Sequence, residues 1–133
     1  MSAEAVYIDS SAFVKTVARE EQSESLRQFL LTCDLVVSSA LLQTESTRAV
    51  TRFSPELAPL IQRRLRGVAL VPVSREILLA AGSLLPANIR TLDAIHLATA
   101  ALLGEELRSV ITYDERMAAA AQGMGMRVDA PAE

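Results

Sequence analysis

The sequence predicts an α/β domain built around a parallel sheet, and three observations support this fold class. Short apolar segments alternate with longer segments of helical period, which is the pattern of consecutive strand–helix units. The short segments are almost wholly apolar, as strands buried on both faces of a sheet should be. Half of the 133 residues are hydrophobic, which is enough for the core of one domain. We therefore expect one domain over residues 1–133, without an internal linker or repeat.

Each predicted strand is a short apolar run, and most predicted helices begin or end at a residue with a known local preference. The predicted strands cover residues 5–8, 35–37, 68–73 and 109–112, with a short fifth strand at 127–128. The predicted helices cover residues 12–18, 23–32, 40–53, 55–66, 75–85, 92–103 and 115–122. The candidate N-caps are Ser10, Ser11, Ser38, Ser39, Ser74, Thr91, Thr112 and Asp114. Pro55 is typical of a first helical turn, and Gly67 and Gly104 are typical of helix ends.

Composition excludes several classes of protein and site. The single Cys33 excludes an internal disulfide and a CxxC zinc site, and the single His96 excludes a site with several histidine ligands. Aromatic residues make up only 4% of the chain, which argues against an aromatic platform for single-stranded nucleic acid. The net charge of −3 excludes an overall basic protein. Lys15 is the only lysine among 13 basic residues, so the other 12 are arginines, which suit planar contacts with phosphate.

The N-terminus and the hydropathy of the chain predict its location. Met1-Ser2-Ala3-Glu4 has neither a basic region nor an apolar stretch, so we expect no secretory signal. No uninterrupted apolar run approaches about 18 residues, so we expect no membrane span. The prediction is a cytoplasmic protein without a membrane partner.

Four acidic residues stand where a solvent-exposed side chain is not the obvious interpretation. Asp9 directly follows the first predicted strand, and Asp114 follows the fourth by one residue. Open α/β sheets bind ligands beyond the carboxyl ends of their strands, where the strand order reverses. Asp93 lies in the first turn of a mostly apolar helix, and Glu45 lies in the helix after the second strand. If the first and fourth strands are neighbours, we expect these side chains to meet in one crevice.

A crevice with four carboxylates needs a counter-charge. Two ionised groups 4 Å apart repel by roughly 4 kcal/mol at an effective dielectric constant of about 20. A hard divalent cation removes this repulsion, and ligation by oxygen alone selects Mg²⁺ or Mn²⁺ over zinc. Such a site suits phosphodiester hydrolysis, because the cation lowers the pKa of a bound water and neutralises charge on the phosphate.

Taken singly, each acid also has an ordinary structural role open to it. Asp9 can be the cap of the strand end, and Asp114 can cap the helix that follows it. Asp93 can make a favourable contact with the dipole of its helix. Glu45 can belong to a solvated helix face. The catalytic interpretation therefore depends on the convergence of all four side chains.

At these residues the sequence resembles the PIN-domain ribonucleases, and within them the VapC-type toxins of bacterial toxin–antitoxin pairs. The resemblance covers essentially the whole chain in the same order, and its most specific part is residues 90–100. The matching segments are Tyr7-Ile8-Asp9-Ser10-Ser11-Ala12-Phe13-Val14-Lys15, Leu42-Gln43-Thr44-Glu45, Arg90-Thr91-Leu92-Asp93-Ala94-Ile95-His96-Leu97-Ala98-Thr99-Ala100 and Ile111-Thr112-Tyr113-Asp114-Glu115-Arg116-Met117.

The resemblance implies a three-layer α/β/α sandwich with a short parallel sheet of four to five strands. It implies an endoribonuclease that uses Mg²⁺ or Mn²⁺ and a metal-activated water, with Asp9, Glu45, Asp93 and Asp114 as the acidic quartet that holds the metal. It also implies a homodimer and a cognate antitoxin whose C-terminal segment covers the active-site groove. The expected substrate is RNA, with tRNA and rRNA as candidates.

Five further residues are expected to assist the quartet. Thr112 matches a hydroxyl that supports the acids in the family, and Ser11 matches a small hydroxyl residue after the first acid. Arg48 lies three residues after Glu45, on the same predicted helical face. Arg90 and Arg116 flank Asp93 and Asp114 in sequence. We expect these three arginines to contact phosphate, and the open alternative is that each forms an ion pair with an acid.

His96 is predicted to be a buried, hydrogen-bonded core histidine. It stands three residues after Asp93, and an Asp-x-x-His pair is able to bind a transition metal. Its neighbours are apolar and only one such pair exists in the chain. We therefore do not expect His96 to be a metal ligand or the general base.

Other functions remain as alternatives. A haloacid-dehalogenase-type phosphotransferase needs an acid two residues after Asp9, where this chain has Ser11. A response-regulator receiver needs an acid after the third strand, where Val73-Ser74-Arg75 stands instead. A housekeeping PIN nuclease in RNA processing and a non-catalytic PIN-like binding module also stay open.

Assembly is a separate hypothesis. The helices over residues 40–66 carry more apolar side chains than one face of a small sheet requires. We expect part of this surplus to serve a dimer or antitoxin contact.

Overall fold

A computed structural model describes residues 4–133 of the chain. Residues 1–3, to which the expectation about a secretory signal refers, lie outside the described residues. The strands are β1 (Ala5–Ile8), β2 (Leu35–Ser39), β3 (Ala69–Val71), β4 (Leu107–Ile111) and β5 (Val128–Asp129). The helices are α1 (Ser10–Lys15), α2 (Ser23–Leu31), α3 (Leu41–Phe53), α4 (Ala58–Leu65), α5 (Arg75–Gly82), α6 (Thr91–Ala101) and α7 (Glu115–Gly123). Short 3-10 turns cover Pro55–Leu57 and Gly104–Glu106.

The sheet is parallel and its strand order is β3-β2-β1-β4-β5. The chain builds β1, β2 and β3 toward one edge and then crosses back to place β4 beside β1. The reversal therefore lies between β1 and β4, as the sequence analysis supposed. Ile8 of β1 pairs with Ile111 of β4, so the residues that follow both strands leave the sheet side by side.

Helices cover both faces of the sheet, and the predicted three-layer α/β/α fold is confirmed. The alternation of side chains along β1 divides the core into two layers. Val6 and Ile8 belong to a cluster that includes buried residues of α1 to α4. Ala5 and Tyr7 belong to a cluster that includes buried residues of α6 and α7. The crevice at the carboxyl edge is therefore bordered by helices from both layers.

Three of the predicted caps are wrong in detail, and one of them is at α3, where the N-cap is Ala40 rather than Ser38 or Ser39. The N-cap of α1 is Asp9, not a serine, because the Asp9 carboxylate accepts the backbone N–H of Ala12. Thr91 is the first residue of α6, and Arg90 precedes it in an extended conformation without a side-chain cap bond. The prediction for α7 is confirmed, since the Asp114 side chain accepts the N–H groups of Arg116 and Met117.

Most of the apolar side chains of α3 and α4 serve the core rather than a partner. Leu42, Val50, Ile61 and Leu65 are buried. Phe53 is the exception among the apolar residues of these two helices, with 79% of its surface exposed. The expected dimer or antitoxin contact of this segment stays a prediction, for which the exposed Phe53 at the end of α3 provides apolar surface.

No helix within residues 4–133 is both long enough and apolar enough to traverse a bilayer.

Candidate active site

Asp9 is the buried acid at the centre of the carboxyl edge. It lies directly after β1, is 4% exposed, and its backbone N–H donates to Ile111 O at 3.2 Å. Burial raises the pKa of Asp9, whereas hydrogen bonds from Thr112, Ala12 and Ser11 act in the opposite direction. A buried carboxylate with this balance is stabilised in its ionised form by any additional positive charge.

The two supporting hydroxyls predicted from the sequence both bond Asp9. Thr112 Oγ1 donates to Asp9 Oδ2 at 2.5 Å, and Ser11 Oγ donates to Asp9 Oδ1 at 2.8 Å. Thr112 in turn accepts the backbone N–H of Asp114 at 3.1 Å. The hydroxyl of Thr112 thus links the acid after β1 to the acid after β4, and it does so from a buried position.

Asp93 and Asp114 share one arginine. Arg90 Nε donates to Asp93 Oδ2 at 3.0 Å, and Arg90 Nη2 donates to Asp114 Oδ2 at 2.9 Å. The hydrogen bond to Asp93, together with the charges of both acids, raises the pKa of Arg90. The Arg90 side chain is 63% exposed, so its guanidinium is free to leave these partners at small cost.

Glu45 projects from α3 and meets a histidine from the opposite helical layer. His96 Nε2 lies 2.5 Å from Glu45 Oε1, and His96 Nδ1 lies 2.6 Å from the hydroxyl of Tyr7. His96 is 1% exposed with both ring nitrogens bonded, as expected for a core histidine. Sequence reasoning missed its contact with Glu45, because nothing in the spacing of residues 45 and 96 predicts it.

One cavity of about 570 Å³ gathers the four acids. Asp9, Glu45, Asp93 and Asp114 all line it, and Ser11 and Arg90 lie at the same opening. The four acidic side chains on which the catalytic interpretation depends therefore line the same cavity.

The remaining lining residues include several that the sequence analysis did not anticipate. Glu20 lines the cavity and forms an ion pair with Lys15 at 2.7 Å. Ala49 and Phe53 follow Glu45 at intervals of four residues and line the cavity from the same side of α3. The exposed ring of Phe53 thus stands at the edge of an otherwise acidic opening.

The other two predicted arginines lie outside this cavity. Arg48 is exposed and does not line it, because the inward face of α3 continues at Ala49 rather than at i+3. Arg116 lines an adjoining cavity of about 500 Å³, together with Arg90 and Asp93. Of the three arginines, only Arg90 contacts the acids through its side chain, since Arg116 donates to Asp114 through its backbone N–H alone.

The four carboxylates are ligands that suit a hard cation, although they do not converge on a single position. Every predicted ligand is a carboxylate, and Asp9 is buried, which is the chemistry that Mg²⁺ or Mn²⁺ selects. Within residues 4–133, no three acidic, histidine or cysteine side chains converge closely enough to hold a metal ion as they stand. Arg90 lies between Asp93 and Asp114, and Glu45 is turned onto His96.

Comparison with known proteins agrees with this geometry. A sequence model of the PIN domain matches residues 6–123. The chain belongs to the PIN-domain family. This PIN domain is 46% identical over 127 residues to Ribonuclease VapC46 of Mycobacterium tuberculosis, a match that covers 96% of this chain and 98% of the relative. It is 33% identical over 132 residues to Ribonuclease VapC35 of the same species, again covering 96% and 98%. The predicted resemblance to VapC-type proteins is confirmed.

Solved structures match the fold of this PIN domain. The crystal structure of Mycobacterium tuberculosis VapC20, described as a sarcin–ricin loop cleaving toxin, aligns with a TM-score of 0.73 at 14% identity, covering 86% of this chain and 94% of that one. A chain from a toxin–antitoxin complex of Klebsiella pneumoniae aligns with a TM-score of 0.71 at 18% identity, covering 96% and 98%. At these identities the likeness establishes the layered fold.

Proposed function

We propose that this PIN domain is an endoribonuclease and the toxin of a VapBC-type toxin–antitoxin pair, with an activity that depends on Mg²⁺ or Mn²⁺. The carrying observation is that Asp9, Glu45, Asp93 and Asp114, which are far apart in sequence, line one cavity at the strand-order reversal. The names of the ribonuclease relatives support the reaction class. The acidic cavity supports the metal, because a polyanionic substrate does not approach four ionised carboxylates without a cation.

Each acid has a defined task in this proposal. Asp9, Glu45, Asp93 and Asp114 would hold the cation. When bound, it supplies a water of lowered pKa and neutralises charge on the scissile phosphate. Thr112 and Ser11 hold the Asp9 carboxylate in one orientation through the bonds that they donate, so this ligand is in place before the cation enters.

Arg90 has two successive roles in the proposal. In the described state its guanidinium neutralises Asp93 and Asp114. A cation held by Asp93 and Asp114 would take over the neutralisation of these carboxylates, and the exposed guanidinium of Arg90 would then be free to donate to two oxygens of an RNA phosphate. Arg116, beside Arg90 in the adjoining cavity, extends the path for the RNA backbone. Arg48 is exposed on α3 and contacts RNA only beyond the cavity itself.

The proposal includes the partners and the setting. The substrate is cellular RNA, with tRNA and rRNA as candidates, and the site of action is the cytoplasm, where these RNAs reside. A cognate antitoxin inhibits the enzyme by covering the acidic cavity. Residues 1–133 act as one domain within a homodimer, and the exposed Leu78 and Leu79 on α5, with the nearby Leu85, provide apolar surface for that contact.

The deciding experiment is cleavage of total bacterial RNA by the purified protein with Mg²⁺, followed by sequencing of the 5′-phosphate ends. We expect discrete internal cuts rather than end degradation, and growth arrest when the chain is expressed alone. Co-expression of the cognate antitoxin should restore growth. Cleavage without growth arrest or neutralisation would indicate a housekeeping nuclease. RNA binding without cleavage in the presence of Mg²⁺ or Mn²⁺ contradicts the proposal.

Arg90→Ala tests the competition between arginine and cation. Without Arg90, Asp93 and Asp114 lose their internal counter-charge, so Mg²⁺ should bind the RNA-free protein more tightly. Two exposed ion pairs correspond to an increase in affinity of about two- to thirtyfold. RNA cleavage should nevertheless fall, because a phosphate contact is lost.

The measurement is titration calorimetry with Mg²⁺, with Arg63→Ala on the exposed surface of α4 as the matched control. The control should leave both the cation affinity and the cleavage rate unchanged. An Arg90→Ala protein that binds Mg²⁺ less tightly than the wild type contradicts the exchange of arginine for cation.

A further inference from the structure

His96 is the one histidine of the sequence, and it joins the two helical layers at the candidate active site. It lies on α6 and is 1% exposed, yet its ring lines the acidic cavity. Its partners are Tyr7, whose side chain belongs to the sheet face below α6, and Glu45, which comes from α3 in the other layer. The ring therefore bridges across the carboxyl edge of the sheet.

The chemistry of the partners sets the direction of this hydrogen-bond chain. An ionised carboxylate only accepts hydrogen bonds, so the contact of 2.5 Å with Glu45 requires a proton on His96 Nε2. The Tyr7 oxygen accepts the backbone N–H of Ser39 at 3.0 Å, which leaves its own O–H to donate to His96 Nδ1 at 2.6 Å. Burial raises the pKa of Tyr7, so the phenol remains a donor.

The nearby hydroxyls do not compete with Tyr7 as hydrogen-bond donors to His96 Nδ1. Ser38 Oγ donates to Ile8 O at 2.6 Å, and Thr99 Oγ1 donates to Ile95 O at 2.7 Å. Both of these hydroxyls are therefore committed to backbone carbonyls. Tyr7 is left as the hydroxyl donor to the ring nitrogen.

We propose that His96 is a positioning residue for Glu45, which it holds through the hydrogen bond from Nε2, while Tyr7 anchors the ring at Nδ1. The proposal rests on the proposed function, because it assigns Glu45 to the cation site. Glu45 lies within a helix rather than directly after a strand, and its side chain has several rotatable bonds. Fixing these bonds in one conformation costs entropy. A buried donor that fixes its carboxylate at the cavity lowers that ordering cost before the cation binds.

The direct test is nitrogen NMR of the wild-type protein with ¹⁵N-labelled histidine, at neutral pH and without metal. One histidine provides one pair of ring signals. We expect Nε2 at the chemical shift of a protonated ring nitrogen, as the donor to Glu45 requires. An unprotonated Nε2 overturns the proposal. This measurement does not depend on whether the protein cleaves RNA, so it separates failure of the positioning role from failure of the proposed function.

Variants test the consequence for the cation site. Glu45→Gln should shift the Nε2 signal, and Tyr7→Phe should convert the single tautomer into a mixture. His96→Leu should weaken Mg²⁺ binding by about 10- to 100-fold, as loss of an outer partner of a ligand does elsewhere. His96→Gln, whose amide places a donor near the position of Nε2, should recover part of that loss.

Ile95→Val, one residue away in the core of α6, is the control for simple destabilisation. It should lower thermal stability without changing the Mg²⁺ affinity or the concentration of Mg²⁺ at half-maximal activity. If His96→Leu behaves like Ile95→Val in the Mg²⁺ titration, His96 is a packing residue and the proposal is wrong.

Discussion

Asp9→Asn should abolish RNA cleavage while leaving the protein folded. Asn retains a side-chain oxygen that accepts the Ala12 N–H and the Ser11 hydroxyl, so the cap of α1 survives. It removes the buried negative charge that the cation requires. Loss of several kcal/mol of charge stabilisation at the metal corresponds to a decrease in cleavage rate of about 10³-fold. The readout is the initial rate on a defined RNA with saturating Mg²⁺.

The same variant carries its own test of folding. Burial raises the pKa of Asp9, so ionised Asp9 is less favourable in the folded protein than in the unfolded chain. This penalty grows as the pH rises from the ordinary pKa of an aspartate toward the raised pKa of Asp9, and it is complete above the raised pKa. At neutral pH in EDTA, Asp9→Asn should therefore unfold at a temperature equal to or above that of the wild type.

Asp34→Asn is the matched control for this charge change. Asp34 is exposed just before β2, at the opposite end of the strands. Its substitution should leave the cleavage rate unchanged. Full activity of Asp9→Asn would show that Asp9 does not take part in the reaction. Loss of the folded state in EDTA would show that the role of Asp9 is structural only.

Removal of divalent cations should reduce cleavage to background, and Mg²⁺ or Mn²⁺ should restore it. The reason is that four carboxylates in one cavity repel the substrate until a cation neutralises them. Zn²⁺ should not substitute, since ligation by oxygen alone favours the harder ions. The measurement is the cleavage rate after dialysis against EDTA and return of each ion.

Cation binding should also stabilise the fold. At a Mg²⁺ concentration 100 times Kd, the free energy of unfolding should rise by about 2.7 kcal/mol. Asp9→Asn should lose most of this increase, whereas Glu105→Gln, in the 3-10 turn at the far edge of the molecule, should retain it. Undiminished cleavage in EDTA would exclude the metal mechanism.

The amino-acid sequence by itself determined the class of fold and the positions of the strands. Buried parallel strands must be apolar on both faces, so each appears as a short apolar run bounded by polar residues. The acids after β1 and β4 were also predictable, because parallel strands place their carboxyl ends on one edge. Helix limits were less accurate. The first helix ends at Lys15 rather than Ala18, and the fifth ends at Gly82 rather than Leu85, since local patterns do not reveal where packing stops a helix.

Only the tertiary structure decided which groups satisfy the acids. Arg90 bridges Asp93 and Asp114, and His96 binds Glu45, because helices distant in sequence meet at the edge of the sheet. Arg48 does not line the cavity, since a difference of one residue on α3 rotates a side chain by about 100° around the helix axis, and its contact with phosphate stays a prediction. Charge pairing and the rotation of each helix depend on three-dimensional packing. Residue type and spacing along the chain contain little information about that packing.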